Sequence, residues 1–508
     1  MIDRVTDAAT RFDIIIIGSG AGGGTVARAF AGHDAKVLVL ERGDHIPQED
    51  GNRDPVVVWQ ELRYRTREQW IDGDGRAFTP YSHYNVGGNT KFWGSALFRL
   101  RREDFDAVEH LDGTSPAWPI SYDTLAPYYD RAERMYHVHG RAGDDPTEAP
   151  RAPYPFDPIP HAPLMADVAE GIRKQGLHPF HLPLGLIDPG APGGCTLCAY
   201  CNSFPCQYHK KSDAEVCAVL PALAGGNVTL WTNAYAERLI TDPAGTQVIA
   251  VDVRRNGVVE RLTASRFIVS CGAAHSAALL LRSANSAHPN GLANSSGLLG
   301  RRYMAHLATM MEAFHPFKLN TTVFQKTVAI NDFYFAGAQT PHPLGNIQSQ
   351  GRAYGVQAKT VVPWIPLAVY DAWMARAVDW LAMTEDLPRE DNRVTVDSQG
   401  RVRLHYRPNN VTAHQMLVRR TKEMLRALGF WLVVGYSHNR SNTTHQCGTA
   451  VFGTDPATSV LDPFCRTHDI PNLFVVDASF FPSSAAVNPG LTVVAQALRA
   501  ADHLMETL

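Results

Sequence analysis

The stretch DIIIIGSGAGGGTVARAFAGHDAKVLVLERG, residues 13–43, decides the fold of this 508-residue chain. An apolar strand runs into a glycine turn, an alanine-rich helix follows, and a second strand ends at Glu41. Gly18, Gly20 and Gly23 fit the pattern G-x-G-x-x-G, which permits a tight turn, close approach of a pyrophosphate and close helix–strand packing. The helix N-terminus attracts phosphate, and a carboxylate at the end of the second strand bonds ribose hydroxyls. The stretch therefore predicts a dinucleotide site.

Length, composition and charge limit the class of protein. A chain of this length predicts two or three domains. A hydrophobic content of 45% with a net charge of -3 describes an ordinary globular protein without a basic field for nucleic acid or anionic lipid. No apolar run approaches the roughly 18 residues of a membrane span, and the N-terminus has no signal core. We expect a cytoplasmic protein that binds a small neutral molecule and neither nucleic acid nor membrane.

The pattern of apolar runs, turns and helices changes along the chain and predicts an α/β fold with interleaved domains. Residues 1–120, 195–300 and 436–508 alternate apolar strands, glycine turns and helices, which predicts one Rossmann-like domain assembled from discontinuous segments. Residues 301–435 carry β-branched and aromatic stretches and the turn signal SQG, which predicts a β-sheet-rich substrate domain with flanking helices. Residues 121–194 hold a dense proline run and are expected to form a connector and surface excursion.

The C-terminal stretch FVVDASFFPSSAAVNPGLTVVAQALRAADHL favours a flavin over a nicotinamide cofactor. A strand ends at Asp477, and Asn488-Pro489-Gly490 begins a helix, because proline is well placed in a helix's first turn. Backbone amides at that N-terminus would stabilise a reduced, anionic flavin ring. Asp477 would then bind the sugar-alcohol chain or the pyrophosphate region of the cofactor.

Four motifs together resemble those of the glucose–methanol–choline (GMC) family of FAD oxidoreductases. They are GSGAGGG (18–24), VGGNTKFWG (86–94), SCGAAHSAALLLRSA (270–284), and the pair HQCGTAVFG (445–453) with NPGLT (488–492). Within the family, the chain is similar to the branch of pyranose oxidase and bacterial glycoside 3-oxidases. The resemblance implies FAD as the cofactor and oxidation of a sugar alcohol group as the reaction.

The resemblance also implies individual site residues. His445 matches the family's catalytic histidine beside the flavin, and Asn488 matches the asparagine or histidine that shares its task. Phe92 stands where pyranose oxidase has a histidine bonded covalently to the flavin, so the expected FAD is non-covalent. Gly94 stands where that enzyme has a threonine near the reactive flavin nitrogen, which puts efficient use of O₂ in question. The implied cofactor contacts are Gly18, Gly20, Gly23, Glu41, Arg42, Gly88, Asn89, Thr90, Trp93, Gly94, Cys271, Gly272, Asp477, Asn488, Pro489 and Thr492.

The chemistry of alcohol oxidation gives His445 a role. A hydroxyl proton must leave as hydride leaves carbon, and a histidine titrates near the pH at which a base is needed. We predict that His445 is this base and that Asn488 orients the same oxygen; the alternative is a structural histidine that caps a turn. Weaker candidates are His83, His438 and His468 at the surface or behind the site, and Gln348, Phe333 and Tyr334 on the substrate side.

Five of the eight cysteines lie between Cys195 and Cys217. Cys195, Cys198, Cys201 and Cys206 give C-x2-C-x2-C-x4-C, which is similar to ferredoxin ligation except in its final spacing. Because of that departure, we expect no bound metal. An iron–sulfur site and a zinc site are the alternatives to reduced cysteines in a loop.

The predicted function is oxidation of a secondary hydroxyl, at C3 or C2, of a sugar or glycoside, with electrons passed to O₂ or a quinone-like acceptor. A 3-keto sugar is primed for elimination, so such a reaction can initiate deglycosylation. One alternative is a gluconate or polyol dehydrogenase subunit that passes electrons through a cysteine-bound cluster. The other is a non-catalytic flavin-binding or redox-sensor protein.

Overall fold

A computed structural model describes residues 6–7, 12–338, 340–437 and 443–508. His438, one of the weaker histidine candidates, lies outside the described residues. The strands are β1 (Thr6–Asp7), β2 (Phe12–Ile17), β3 (Val37–Leu40), β4 (Trp70–Asp72), β5 (Ala77–Phe78), β6 (Val108–His110), β7 (Gly113–Ser115), β8 (Val138–His139), β9 (Phe180–His181), β10 (Leu184–Gly185), β11 (Val228–Trp231), β12 (Tyr235–Thr241), β13 (Val248–Arg255), β14 (Val258–Val269), β15 (Leu307–Phe314), β16 (Val328–Ile330), β17 (Asn346–Ser349), β18 (Ala377–Thr384), β19 (Arg393–Val396), β20 (Val402–His405), β21 (Leu432–Ser437) and β22 (Leu473–Val475).

The α-helices accompany two large sheets, and short 3₁₀ turns, including Gly88–Lys91, add local structure. The helices are α1 (Ala21–Ala29), α2 (Tyr122–Met135), α3 (Pro163–Arg173), α4 (Leu220–Ala224), α5 (Ala273–Arg282), α6 (Gly355–Val361), α7 (Leu367–Met374), α8 (Val411–Ala427) and α9 (Gly490–Glu506).

The first large sheet has the strand order β11–β3–β2–β14–β13–β12, with β1 and β22 also paired to β14. Strands β11, β3, β2 and β22 and the C-terminal half of β14 run parallel. Ile14–Ile17 and Val37–Leu40 are buried throughout, as expected for parallel strands covered on both faces. Helix α1 connects β2 to β3 and packs against α9. The predicted α/β fold, with a Rossmann-like domain assembled from distant segments, is confirmed.

The second large sheet is antiparallel, in the order β21–β15–β18–β17–β16–β9. Helix α8 packs on one face of it, and the core between them contains Met311, Trp380 and Leu417. Strand β9 comes from the segment that the sequence assigned to the connector. That segment also carries α2, which packs against α9 because its apolar face is buried there.

A smaller sheet confirms one local prediction. Strands β19 and β20 pair antiparallel, with Gly400 of the SQG turn at a φ of +76° between them, a backbone conformation that glycine adopts without strain. Strand β4 pairs with β20, and β5 pairs with β4, so the segment that follows β3 reaches the predicted substrate domain. Within the described part of the chain, helices long and apolar enough to cross a membrane are absent.

Candidate active site

One cavity of about 670 Å³ reaches from the glycine turn after β2 to His445 and Asn488. The ends of β2 and β3 in the first large sheet form one part of its wall. Ala308, Met310 and Leu381 of the second large sheet form another. Residues from the N-terminal and C-terminal parts of the chain therefore line one cavity, beside the second large sheet.

The glycine turn has the geometry that a pyrophosphate requires. Gly18 has a φ of +106°, and a Cβ added to it would lie 2.2 Å from the carbonyl oxygen of Ser270. A Cβ on Gly23 would lie 2.1 Å from the carbonyl oxygen of Gly18, so this glycine permits close helix–strand packing. A Cβ on Gly20 would meet no atom within 4 Å, because Gly20 faces the cavity. Among the residues that the structure describes, no side chain caps the N-terminus of α1, so its first amides are available to a phosphate.

Hydrogen bonds hold Glu41 at the end of β3. Its carboxylate accepts from the Ser19 hydroxyl at 2.6 Å, the Ser19 backbone N–H at 3.2 Å and the Gly43 N–H at 3.0 Å. Burial raises the pKa of Glu41, and the hydrogen bond from Ser19 opposes that effect. Arg42 stacks on the Tyr84 ring, with its guanidinium carbon 3.7 Å from the ring centroid. Both residues line the cavity where a cofactor's ribose would lie.

The motif VGGNTKFWG lies directly against the glycine turn. The Gly87 N–H donates to the Ser19 hydroxyl at 3.0 Å, and a Cβ on Gly88 would lie 3.5 Å from the Gly20 Cα. The Thr90 hydroxyl donates to the Gly87 carbonyl at 2.6 Å and closes the turn. Gly88, Asn89, Thr90, Trp93 and Gly94 all line the cavity.

Asp477 orders two further turns at the cavity. Its carboxylate accepts from the Gly272 N–H at 2.9 Å and from the Ser276 hydroxyl at 2.5 Å. It also accepts from the N–H and the hydroxyl of Ser479, at 2.8 Å and 2.5 Å. Cys271, Gly272 and Asp477 line the cavity. The close approach of Trp93 to Gly490, whose Cβ would lie 2.6 Å from the indole ring, fixes the start of α9 beside them.

His445 and Asn488 face each other across one end of the cavity. The Nε2 atom of His445 lies 3.4 Å from Nδ2 of Asn488. On the opposite side of the imidazole, Nδ1 lies 3.0 Å from Nδ1 of His306. His445 has a φ of +56°, a strained backbone conformation for a residue with a side chain. The predicted pair is therefore brought together.

Asn488 is oriented by a buried amide. Nε2 of Gln348 donates to Oδ1 of Asn488 at 2.9 Å and to Oδ1 of Asn346 at 3.0 Å. Because Oδ1 of Asn488 is occupied in this way, its NH₂ group is the part presented to His445. Gln348, which the sequence placed on the substrate side, lies behind Asn488 and does not line the cavity.

Thr492 is not placed as its predicted cofactor contact requires. It does not line the cavity, and its hydroxyl is 2.8 Å from the Tyr129 hydroxyl, in the packing between α9 and α2. Four residues after Asn488, the helix has turned this side chain toward the core. Phe333 and Tyr334 are also buried in the core.

The remaining weaker histidine candidates have structural contacts. His83 lines the cavity and stacks on Phe92, with ring centroids 3.7 Å apart. His468 is bonded to Ser459 at 2.9 Å, away from the cavity.

Three titratable residues, His306, Lys326 and Glu312, are among the cavity residues that the sequence did not anticipate. His306 contacts His445, as described above. Lys326 donates to Oδ1 of Asn202 at 2.9 Å, and burial lowers the pKa of Lys326 to about 7. Burial, with the charge of Asp379, raises the pKa of Glu312 to about 7. None of the three lies in a motif. Side chains alternate between the two faces of a strand, and His306 and Glu312 lie on the face at β15 that points toward the cavity.

The cysteine segment surrounds a pocket of only about 20 Å³, lined by Cys195, Cys198, Cys201 and Cys206. All four are free thiols. The Cys201 thiol donates a hydrogen bond that lowers the pKa of Cys198 to about 6. Among the described residues, no group of three or more histidine, cysteine, aspartate or glutamate side chains is arranged to hold a metal ion.

The fold and the cavity define a dinucleotide-dependent oxidoreductase, with a glycine turn at one end and an imidazole–carboxamide pair at the other. The N-terminal GMC oxidoreductase profile matches residues 12–308 and the C-terminal profile matches residues 388–497. The chain belongs to the GMC oxidoreductase family. The family resemblance of the motifs is confirmed, and the cofactor is FAD.

Relatives and solved structures agree with this assignment. Paromamine 6'-oxidase of Streptomyces fradiae is 30% identical, over 96% of this chain and 90% of that protein. The 6'''-hydroxyparomomycin C oxidase of Streptomyces lividus is 31% identical, over the same shares of the two chains. The crystal structure of pyridoxine 4-oxidase from Mesorbium loti has a TM-score of 0.69 at 18% identity, over 97% of this chain and 99% of that one, and shows the same fold.

The cavity residues fit FAD. Gly20 leaves open space in front of the uncapped N-terminus of α1, where a pyrophosphate binds. Glu41 would supply the carboxylate for the ribose, and His445 lines the same cavity. When bound, FAD supplies the hydride acceptor of the reaction.

Gln348 provides a test of how Asn488 is oriented. We expect Gln348→Leu to lower the rate of anaerobic flavin reduction by about tenfold, since one hydrogen bond of about 1.4 kcal/mol is lost. FAD content should not change, because Gln348 does not contact the cavity. Gln496→Leu is the matched control, since Gln496 is an equally buried amide that bonds to the Pro463 carbonyl instead. Equal reduction rates in the two variants would contradict the proposed role of Gln348.

Proposed function

We propose that this protein oxidises a secondary hydroxyl group, at C3 or C2, of a sugar or glycoside to the ketone, with electrons passed to O₂ or a quinone-like acceptor. The observation that carries the proposal is the pair His445 and Asn488, whose Nε2 and Nδ2 atoms are 3.4 Å apart at the cavity wall. The aminoglycoside names of the two bacterial relatives support a sugar-like substrate.

The side chains of His445 and Asn488 have different roles at the substrate hydroxyl. Nε2 of His445 accepts the hydroxyl proton, a task for which histidine is suited near neutral pH. The NH₂ group of Asn488 donates a hydrogen bond to the same oxygen and stabilises the negative charge that develops there. Because Gln348 holds Oδ1 of Asn488, the donor points toward the reacting oxygen before the substrate arrives.

We propose that FAD is held non-covalently. Phe92 occupies the place of the histidine to which pyranose oxidase tethers its flavin, and a phenyl ring has no nucleophilic atom. The neighbouring imidazole of His83 stacks on Phe92, and its Nε2 atom is buried rather than open to the cavity. Binding then rests on the glycine turn, Glu41 and the start of α9.

Anaerobic flavin bleaching against a panel of substrates tests the function. The panel contains free sugars, sugar acids, methyl and aryl glycosides and an aminoglycoside, and NMR identifies each product. We expect the fastest bleaching with a sugar or glycoside, and a ketone at C3 or C2 in the product. Bleaching by sugar acids alone, or a product oxidised at a primary hydroxyl, would contradict the proposal.

The electron acceptor is measured on the same preparation. After substrate has reduced the flavin, reoxidation is followed separately with O₂ and with benzoquinone. We expect reoxidation by at least one of the two on the timescale of turnover. Failure of both would exclude the proposed acceptors.

A further inference from the structure

His306 contacts the proposed base on the side opposite to Asn488. It directly precedes β15, and its ring is nearly perpendicular to that of His445, with an interplanar angle of 88° and centroids 5.1 Å apart. Its Nδ1 atom lies 3.0 Å from Nδ1 of His445. Its Nε2 atom lies 3.1 Å from the Ser484 carbonyl oxygen and 2.9 Å from that of Ala485. Both ring nitrogens of His306 therefore have fixed partners.

These contacts determine where the protons of His306 lie. A carbonyl oxygen only accepts hydrogen bonds, so Nε2 of His306 must carry a proton. Burial lowers the pKa of His306, against the opposing effect of its backbone hydrogen bonds, and favours the neutral ring. In the part of the chain that the structure describes, Glu385 is a charged group whose field reaches His306. Its carboxylate is itself occupied by the Ser115 hydroxyl at 2.5 Å and by His110 at 3.1 Å.

A neutral imidazole carries one proton, so Nδ1 of His306 presents a lone pair. The hydrogen bond between the two Nδ1 atoms then requires a proton on Nδ1 of His445. Neutral His445 with its proton on Nδ1 has its lone pair on Nε2. Nε2 is the atom that lies 3.4 Å from Asn488.

We propose that His306 is a positioning residue that fixes His445 in the tautomer protonated on Nδ1, and so keeps the proton-accepting Nε2 directed at the substrate hydroxyl. The inference rests on the proposed function, in which His445 is the base. Ring orientation and tautomer are set together, since a hydrogen bond at one imidazole nitrogen decides the state of the other.

The same contact acts after proton transfer. When Nε2 of His445 accepts the substrate proton, the ring becomes a cation with protons on both nitrogens. Nδ1 of His306 still accepts from Nδ1 of His445, and a hydrogen bond from a charged donor is stronger than one from a neutral donor. His306 keeps its own single proton throughout, because its Nε2 remains bonded to the two carbonyl groups.

Nitrogen-15 NMR of the histidine-labelled holoenzyme tests the tautomer directly. The signals of His445 are assigned by their loss in His445→Ala. We expect a protonated Nδ1 and an unprotonated Nε2 in the wild-type protein at neutral pH. A wild-type His445 with its proton on Nε2 would overturn the inference, whatever the variants do.

Substitutions of His306 supply the kinetic test. His306→Leu removes the acceptor, and we expect flavin reduction to slow by about tenfold or more, with a mixture of His445 tautomers in the NMR spectrum. His306→Asn retains an acceptor oxygen near the position of Nδ1, and we expect it to recover most of the rate and the Nδ1–H tautomer. His414→Asn is the matched control, because His414 is a buried histidine of the same domain, bonded to Thr309 at 2.8 Å.

The outcomes separate this inference from the proposed function. If His445→Ala is reduced at the wild-type rate, the proposed function fails. If His445→Ala is inactive but His306→Leu keeps both the wild-type rate and the Nδ1–H tautomer, only the role of His306 fails. If His306→Leu does not fold, the wild-type tautomer and the His306→Asn variant still decide the question.

Discussion

Replacement of His445 by alanine is expected to slow substrate-dependent flavin reduction by about 10²- to 10⁴-fold, the contribution typical of a general base. The reason is that, in the proposed function, Nε2 of His445 accepts the substrate proton; this atom lies 3.4 Å from Nδ2 of Asn488. FAD should remain bound, because the glycine turn and Glu41 lie at the far end of the cavity. Stopped-flow bleaching under anaerobic conditions measures the rate, and the visible spectrum gives the FAD content.

His468→Ala is the matched control for that experiment. His468 is bonded to Ser459 at 2.9 Å and does not line the cavity, so its loss should leave the reduction rate unchanged. A His445→Ala protein that is fully loaded with FAD and reduced at the wild-type rate would show that His445 is a structural histidine. Equal losses in both variants would point to a general effect on folding.

Substitution of Gly20 by valine is expected to abolish FAD binding in a protein that still folds. A Cβ at this position meets no atom of the described residues within 4 Å, so the added side chain begins in open space. It projects into the space in front of α1, where the pyrophosphate must approach the backbone amides. Purified variant should be colourless, and denaturation should release FAD from the wild-type protein alone.

Gly337→Val controls for the cost of adding a side chain. Gly337 likewise has no atom within 4 Å of an added Cβ, but it is exposed and outside the cavity. This variant should bind FAD as the wild-type protein does, with circular dichroism confirming the fold of both. Normal flavin content in Gly20→Val would mean that the cofactor does not lie against the glycine turn.

Local sequence patterns predicted the elements that depend on neighbouring residues. The βαβ unit could be predicted because the apolar runs, the glycines and Glu41 have a fixed spacing in the sequence. Each of these residues meets a separate physical requirement of the turn or of the cofactor contact. The β19–β20 hairpin was readable because its SQG turn needs a glycine at positive φ. Most of the implied cofactor contacts line the cavity for the same reason, since they lie in short motifs at turns.

Predictions were weaker where a side chain acts through a partner far along the chain. Thr492 follows Asn488 in one motif, yet the helical turn directs it to Tyr129 and not to the cavity. Gln348 was a weaker candidate for the substrate side, and the sheet places it behind Asn488. Proximity in sequence does not decide where such a side chain points, because its direction depends on how the whole helix or strand packs.

The sequence by itself determined the dinucleotide turn, the α/β class, the family and the pair His445 and Asn488, because each is encoded in a compact motif. Only the tertiary structure decided which atoms of that pair face each other and which face His306 and Gln348. His306 lies 139 residues from His445, and Gln348 lies 140 residues from Asn488. Their hydrogen bonds exist only once the two large sheets have packed around one cavity. The bond from Gln348 orients the amide of Asn488, and the contact with His306 is the basis of the proton position that we propose for His445; no local pattern specifies either.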